Sequence, residues 1–221
     1  MKHYFIYFAI MWGVHFVNVS LGYALNIFGV NLNWMTWLMQ FIGSPPIALI
    51  LSLPLTFSGF LAHPFLHGSN LHIIGNSLAY IPLGVLVASA EDFKKLFWKL
   101  AIGTGGLSYL LVMFSRGEVA PVMVGASGVI YGFMGYLLAS AICKFNFFNV
   151  LFAVACWVIS GNALGGMLPW GVPARVSWEG HLAGFIVGVI CACNQSSPKQ
   201  IAPMPQQMFS SGFPFNQERG S

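Results

Sequence analysis

Three short polar stretches interrupt an otherwise apolar chain, and they hold the side chains able to do chemistry. Residues 67–76 read HGSNLHIIGN and supply His67, His72 and Asn76. Residues 125–132 read GASGVIYG and supply Ser127 and Tyr131. Residues 179–188 read EGHLAGFIVG and supply His181. His72 and Asn76 are four apart, as are Ser127 and Tyr131, so each pair shares one helical face. A serine hydroxyl is a poor nucleophile until a base takes its proton. His181 is the only histidine in the second half of the chain and is the natural base; it can return the proton to a leaving amine. A tetrahedral oxyanion needs preorganised donors. His72 and Asn76 can supply side-chain N–H groups. Ser127 begins a helix, so its own backbone N–H is unpaired and sits at the positive end of the helix dipole. Glu179 lies two residues from His181 and so on the wrong face to orient it. The residues therefore spell a Ser127–His181 dyad, with Tyr131 placed to pack against the imidazole.

Each signal has a plainer reading. A serine among small residues usually serves helix packing, and Asn76 could bridge two helices. A membrane histidine suits metal or proton work as readily as hydrolysis. His3, His15 and His63 are read as interfacial or solvated, while His67, just before its helix, is placed to face the same cavity.

What separates these readings is where the residues fall along the chain. The sequence has 221 residues, 57% hydrophobic and 6% charged, against roughly 25% charged in soluble domains. Continuous apolar runs predict membrane-spanning helices near 4–24, 70–90, 96–114, 127–143, 147–164 and 180–194. Helices are required because a lipid-exposed backbone must satisfy its own hydrogen bonds. The expected fold is an all-α polytopic membrane protein of six spans, with residues 1–195 as the membrane domain. The first span resembles a signal peptide, but its apolar run is long for one and favours a retained anchor. Residues 26–66 carry Pro45, Pro46, Pro54 and Pro64 and no Lys, Arg, Asp or Glu. They are expected to form a long interfacial loop with Trp34 and Trp37 at headgroup level; a broken seventh span is the alternative. The tail 196–221, with SSPKQIAPMPQQ, is expected to be disordered.

With the N-terminus inside, Lys2, Lys94, Lys95, Lys99, Lys144, Lys199 and Arg219 are cytoplasmic, and only Arg116 and Arg175 fall outside. The second, fourth and sixth spans then run outside to inside. His72, Ser127 and His181 each stand at the start of one and reach the same outer depth. Gly128 and Gly132 form a GxxxG pair, as do Gly180 and Gly184, and Gly184 and Gly188. Such faces let helices touch in lipid and would bring the fourth and sixth spans together. The net charge of +4 comes from few residues and forms no basic patch, so no nucleic-acid partner is expected. Cys143, Cys156, Cys191 and Cys193 show no metal-site spacing and are read as small buried hydrophobes.

The three polar motifs, in this order and spacing, resemble the rhomboid family of intramembrane serine proteases over roughly residues 1–195. The resemblance implies a six-helix bundle with a water-accessible cavity opening outward. It implies cleavage of transmembrane protein substrates near their outer ends, in the lipid bilayer, without metal or cofactor. By motif position Ser127 matches the nucleophile, His181 the base, His72 and Asn76 the oxyanion donors, and Tyr131 the tyrosine stacked on the base. His67 matches an accessory histidine, and Gly125 the first glycine of the GxSG pattern. The family's Trp-Arg pair in the first loop is missing: NWMTWLMQ has no arginine. A multi-pass protein of a bacterial inner membrane is expected. The competing functions are an inactive rhomboid-like protein that binds membrane clients, disfavoured because both serine and histidine are present, and a small transporter, disfavoured by the lack of a well-placed acidic residue or internal repeat.

Overall fold

A computed structural model describes residues 1–27, 62–117, 124–173 and 176–194. Six α-helices account for most of them: α1 (Lys2–Ile27), α2 (Asn70–Ala90), α3 (Phe93–Arg116), α4 (Ser127–Cys143), α5 (Phe147–Ser160) and α6 (Trp178–Cys193). A 3₁₀ turn, His63–Phe65, precedes α2, and a second, Gly161–Met167, continues α5. No strand occurs among the described residues. Among the described residues three helical segments are long and apolar enough to cross a membrane: Asn70–Ala90, Phe93–Arg116 and Phe147–Met167. α4 and α6 are apolar but shorter, at 17 and 16 residues.

Local sequence explains where the helices start. Ser69 caps α2 by accepting from the His72 backbone N–H at 3.2 Å. Asp92, Asn146 and Ser177 cap α3, α5 and α6 in the same way, each accepting an N–H three residues on. Asp92 is also held below the usual carboxylate range, chiefly by that Lys95 N–H. Gly117 ends α3 with φ 69°, a left-handed C-cap that suits glycine. α4 is the exception, because Ala126 precedes it and no side chain covers its first turn.

α4 is the centre of the bundle. It packs most extensively on α6 and also touches α2, α3 and α5. The glycines make the α4–α6 approach possible. A Cβ on Gly184 would run into the Gly128 carbonyl, one on Gly188 into that of Gly132, and one on Gly135 into the Phe185 carbonyl. The Cα faces of Gly128 and Gly132 are turned instead to α3, against Thr104 and Leu100. Gly180 is different: a Cβ there would meet only ordinary contacts, the nearest being Ser108 Oγ at 3.5 Å.

α1 lies outside this pair and is tied to α2 by a stripe of contacts. Tyr4, Tyr7, Met11 and His15 are the buried residues among its described side chains. Tyr4 stacks on Tyr80 at 5.4 Å, and Gly84 leaves room for its ring. Trp12 Nε1 donates to Ser77 Oγ at 3.0 Å, and His15 Nε2 donates to Asn70 Oδ1 at 2.7 Å.

Two expectations need correction, and a third falls largely outside the described residues. His15 and His63 are not solvated: they are 4% and 3% exposed, because the loop before α2 folds into the bundle and brings polar partners with it. The interfacial loop expected over 26–66 is described only at its ends, where residues 26–27 complete α1 and His63 and Pro64 are buried. The prolines and tryptophans between lie outside the described residues, as does the tail. Cys143 and Cys193 are not unpaired hydrophobes but a disulfide, Cα–Cα 5.2 Å, because α4 and α6 pack along their whole length and their last residues meet. Cys156 is buried and free, and Cys191 is partly buried and free.

Candidate active site

The starts of α2, α4 and α6 open onto one cavity of about 670 Å³. His72 and Asn76, Gly125, Ser127, Gly128 and Tyr131, and Gly180 and His181 all line it. The sequence expects the polar residues of alternate spans to share one depth, and these residues do share one chamber.

His181 is 9% exposed and held on two sides. Its ring stacks on Tyr131, centroids 4.2 Å apart and planes 13° from parallel. Its Nδ1–H donates to the Gly166 carbonyl at 2.9 Å. A proton on Nδ1 leaves Nε2 with the lone pair, so the backbone selects the tautomer that can accept a proton. Tyr131 is itself anchored, since its hydroxyl donates to the Ala163 carbonyl. Both carbonyls belong to the 3₁₀ turn after α5, so this turn sets the imidazole from one side while α6 sets it from the other. The sequence gives no orienting partner for His181, and a backbone carbonyl leaves no residue-type signature. Gly166 has a further reason to be glycine: a Cβ there would collide with the Tyr131 hydroxyl.

Ser127 is the first residue of α4 and is half-buried. The turn that delivers it is built around Gly125, whose φ of 109° L side chains rarely adopt. A Cβ at Gly125 would stand 2.7 Å from the His72 ring and 3.2 Å from Asn76 Nδ2. The Gly125 N–H donates to the His63 carbonyl at 2.9 Å, and His63 Nε2–H donates to the Ala101 carbonyl at 3.1 Å. His63 thus ties this turn to α3, a role that reading it as interfacial or solvated misses.

Asn76 Nδ2–H donates to His67 Nε2 at 2.9 Å, and the Ala126 N–H points at the same nitrogen at 3.5 Å. His67 lies in the loop before α2 and is fully buried. Burial, with His72 adding to it, pushes its imidazole down to about 4, so the ring is neutral and Nε2 can accept. The T-shaped His67–His72 pair, 5.1 Å apart, completes the wall. Asn76 keeps a second amide hydrogen beyond the one given to His67. Among the described residues no group of three His, Cys, Asp or Glu side chains is arranged to hold a metal ion. Glu179 points away from His181, as its spacing requires, and is engaged with Arg116, Ser115 and Ser177.

The family model for the Rhomboid domain matches residues 54–196, well over half of the chain. The chain belongs to the rhomboid family. With its apolar helices, this makes it an integral membrane protein. Among similar sequences is an uncharacterised protein of Mycobacterium tuberculosis, 31% identical over 148 residues, covering 65% of this chain and 61% of the relative. The rhomboid protease GlpG of Haemophilus influenzae is 26% identical over 132 residues, covering 59% of this chain and 66% of that protein. RHOMBOID-like protein 1 of Arabidopsis thaliana is 28% identical over 129 residues, covering 57% of this chain and 31% of that protein. The chain spans about three fifths of the length of the mycobacterial relatives it matches.

Proposed function

We propose that this rhomboid-family chain is an intramembrane serine endopeptidase that hydrolyses peptide bonds in or near transmembrane segments of membrane-protein substrates. The observation that carries the reading is the setting of His181. Tyr131 fixes its plane and the Gly166 carbonyl fixes its tautomer, in the cavity that Ser127 also lines. In the proposed reaction Ser127 Oγ attacks the scissile carbonyl while His181 Nε2 takes the hydroxyl proton. The oxyanion is met by Asn76 Nδ2–H, by His72 and by the uncapped amides at the start of α4. The imidazolium returns the proton to the leaving amine, an acyl-enzyme remains, and a water activated by the same imidazole releases it. The cavity is large enough for a short unwound piece of chain and its water.

The domain in this reading is residues 1–195, with 196–221 as a tail, in a bacterial inner membrane. Charge distribution supports a site opening on the outer side. The likeness to a relative named as a rhomboid protease supports the activity. The test is full-length protein in liposomes with a transmembrane substrate and a fluorophosphonate probe. Wild type should cleave and become labelled. Ser127→Ala should do neither while melting at the wild-type temperature, since alanine keeps the small packing volume. Unchanged cleavage by Ser127→Ala would overturn the assignment. A folded wild type that neither labels nor cleaves would favour an inactive client-binding protein.

A further inference from the structure

We propose that Glu179 is the positioning residue for His181, fixing the height and rotation of the start of α6 from the face opposite the site. This rests on the protease reading above.

Glu179 is a carboxylate with no exposed surface, at the start of a membrane helix, where an unpaired charge is costly. Its two oxygens meet four donors. Oε1 accepts from Arg116 Nε at 2.7 Å and Ser115 Oγ at 2.8 Å. Oε2 accepts from Arg116 Nη2 at 2.8 Å and Ser177 Oγ at 2.9 Å. The Arg116 pairing is a two-point fork, which fixes orientation as well as distance. Ser115 and Arg116 are the last two residues of α3, so the clamp joins the end of α3 to the beginning of α6.

The same carboxylate sets the helix cap. The Ser177 hydroxyl gives its hydrogen to Glu179, which aims its lone pairs at the Gly180 N–H, 3.2 Å away. Glu179 and His181 are separated by roughly 200° around the helix. A hold on Glu179 therefore acts as a stop behind His181. On the site face Tyr131 and Gly166 fix the ring, but neither fixes the helix that carries it. Gly180, between the two, meets only ordinary contacts and does not lock the helix itself. Further along, Gly184 and Gly188 seat α6 on α4, and the Gly180 carbonyl also approaches Gly128; these contacts all lie on the α4 side, and the Glu179 clamp adds the hold from α3.

The expected signature is a loss in turnover without a loss in substrate binding, because a shift of about 1 Å in a reacting group can cost about 10²-fold. Full-length Glu179→Gln, Glu179→Asp and Arg116→Lys are assayed in liposomes beside wild type, with Leu83→Ala in α2 as a control for lost stability alone. kcat and KM are measured on a transmembrane substrate, with the rate of fluorophosphonate labelling and the melting temperature. Glu179→Gln, which faces Arg116 with an amide N–H, should lower kcat about 10–100-fold and slow labelling in parallel, with KM within about 3-fold. Arg116→Lys keeps the charge without the fork and should fall between. It also covers the case in which a Glu179 variant fails to fold. If kcat falls no further than in Leu83→Ala at equal loss of melting temperature, or if KM alone changes, Glu179 serves the scaffold and the inference is overturned. A wild type that neither cleaves nor labels would instead overturn the protease reading, and this inference with it.

Discussion

Gly125→Ala is the smallest change that tests the geometry of the whole cavity. The added methyl has two separate costs. At φ 109° an alanine is strained, by about 1–3 kcal/mol for such backbone regions. It also stands 2.7 Å from the His72 ring, where ordinary contact begins at 3.4 Å, so the ring must retreat about 0.7 Å; Asn76 Nδ2 must retreat by a few tenths. Both side chains are the proposed oxyanion donors. A misplacement of this size, together with loss of one donor, should lower kcat about 10²-fold, and the melting temperature should drop as well. The assay is cleavage of a transmembrane substrate in liposomes at saturating concentration, with thermal unfolding of the same preparation. A second variant separates the two costs. In Gly125→Ala/His72→Ala the ring clash is gone, and only the backbone strain and the slight crowding of Asn76 Nδ2 remain. The double variant should be little slower than His72→Ala alone, and no more stable than strain allows. Wild-type turnover in Gly125→Ala would show that the donors do not crowd this glycine, and the cavity geometry argued above would fall. A double variant far slower than His72→Ala would refute the clash as the cause.

Three further outcomes are expected. Tyr131→Phe keeps the stacked ring and loses only the bond to the Ala163 carbonyl, so turnover should fall a few-fold; Tyr131→Ala removes the face that supports His181 and should cost far more, and equal losses would show that stacking is irrelevant. His67, held near 4 when folded, takes up a proton in the unfolded chain below its ordinary value of about 6.5. The stability tied to its neutral ring is thus whole above about 6.5 and is lost as pH falls through about 4; His67→Gln should flatten that part of the melting curve, and an unchanged slope would remove His67 from the account. In a protein cleared of native cysteines, one placed at Glu118 should be labelled by an impermeant reagent in intact cells and one at Lys95 only after permeabilisation, the reverse result showing that the cavity opens inward.

Helix positions were readable because lipid leaves a strong imprint: a continuous apolar run between polar breaks marks α2 and α4 at their observed ends. The meeting of His72, Ser127 and His181 followed from counting alternate spans, and Gly184 and Gly188 announced the α4–α6 approach through their spacing. Other features have no such imprint. The carbonyl of Gly166 acts through backbone, and any residue type has one. His63 and His15 read as interfacial or solvated because they fall between or near the end of apolar runs; the inward fold of the loop before α2, and Asn70 at the start of α2, bury them. Glu179 could be excluded as a partner of His181 by its angle, but its four donors come from α3 and from the cap, joined only by tertiary packing. The Cys143–Cys193 disulfide joins residues 50 apart, and it was accessible in principle, since two helices packed in parallel from matching starts must also bring their far ends together.

The shortness of α4 has a consequence for how the protein meets membranes of different thickness. At about 1.5 Å per residue, its 17 residues rise roughly 25 Å, against ~30 Å of hydrocarbon. A short helix facing lipid would thin the bilayer around it or be sorted into thinner membranes. α4 is buried along most of its length, so little of it faces lipid, and its longer neighbours α2 and α3 meet the acyl chains in its place. In the proposed outward-opening orientation the deficit of about one turn falls at the Ser127 end, where the chamber lies. The depth of the serine is thereby set by protein packing. In the proposed reaction a substrate helix, which floats in the lipid, has its depth set by the bilayer. Changing acyl-chain length would slide one against the other, moving the position of the cut along the substrate while leaving the chamber as it is.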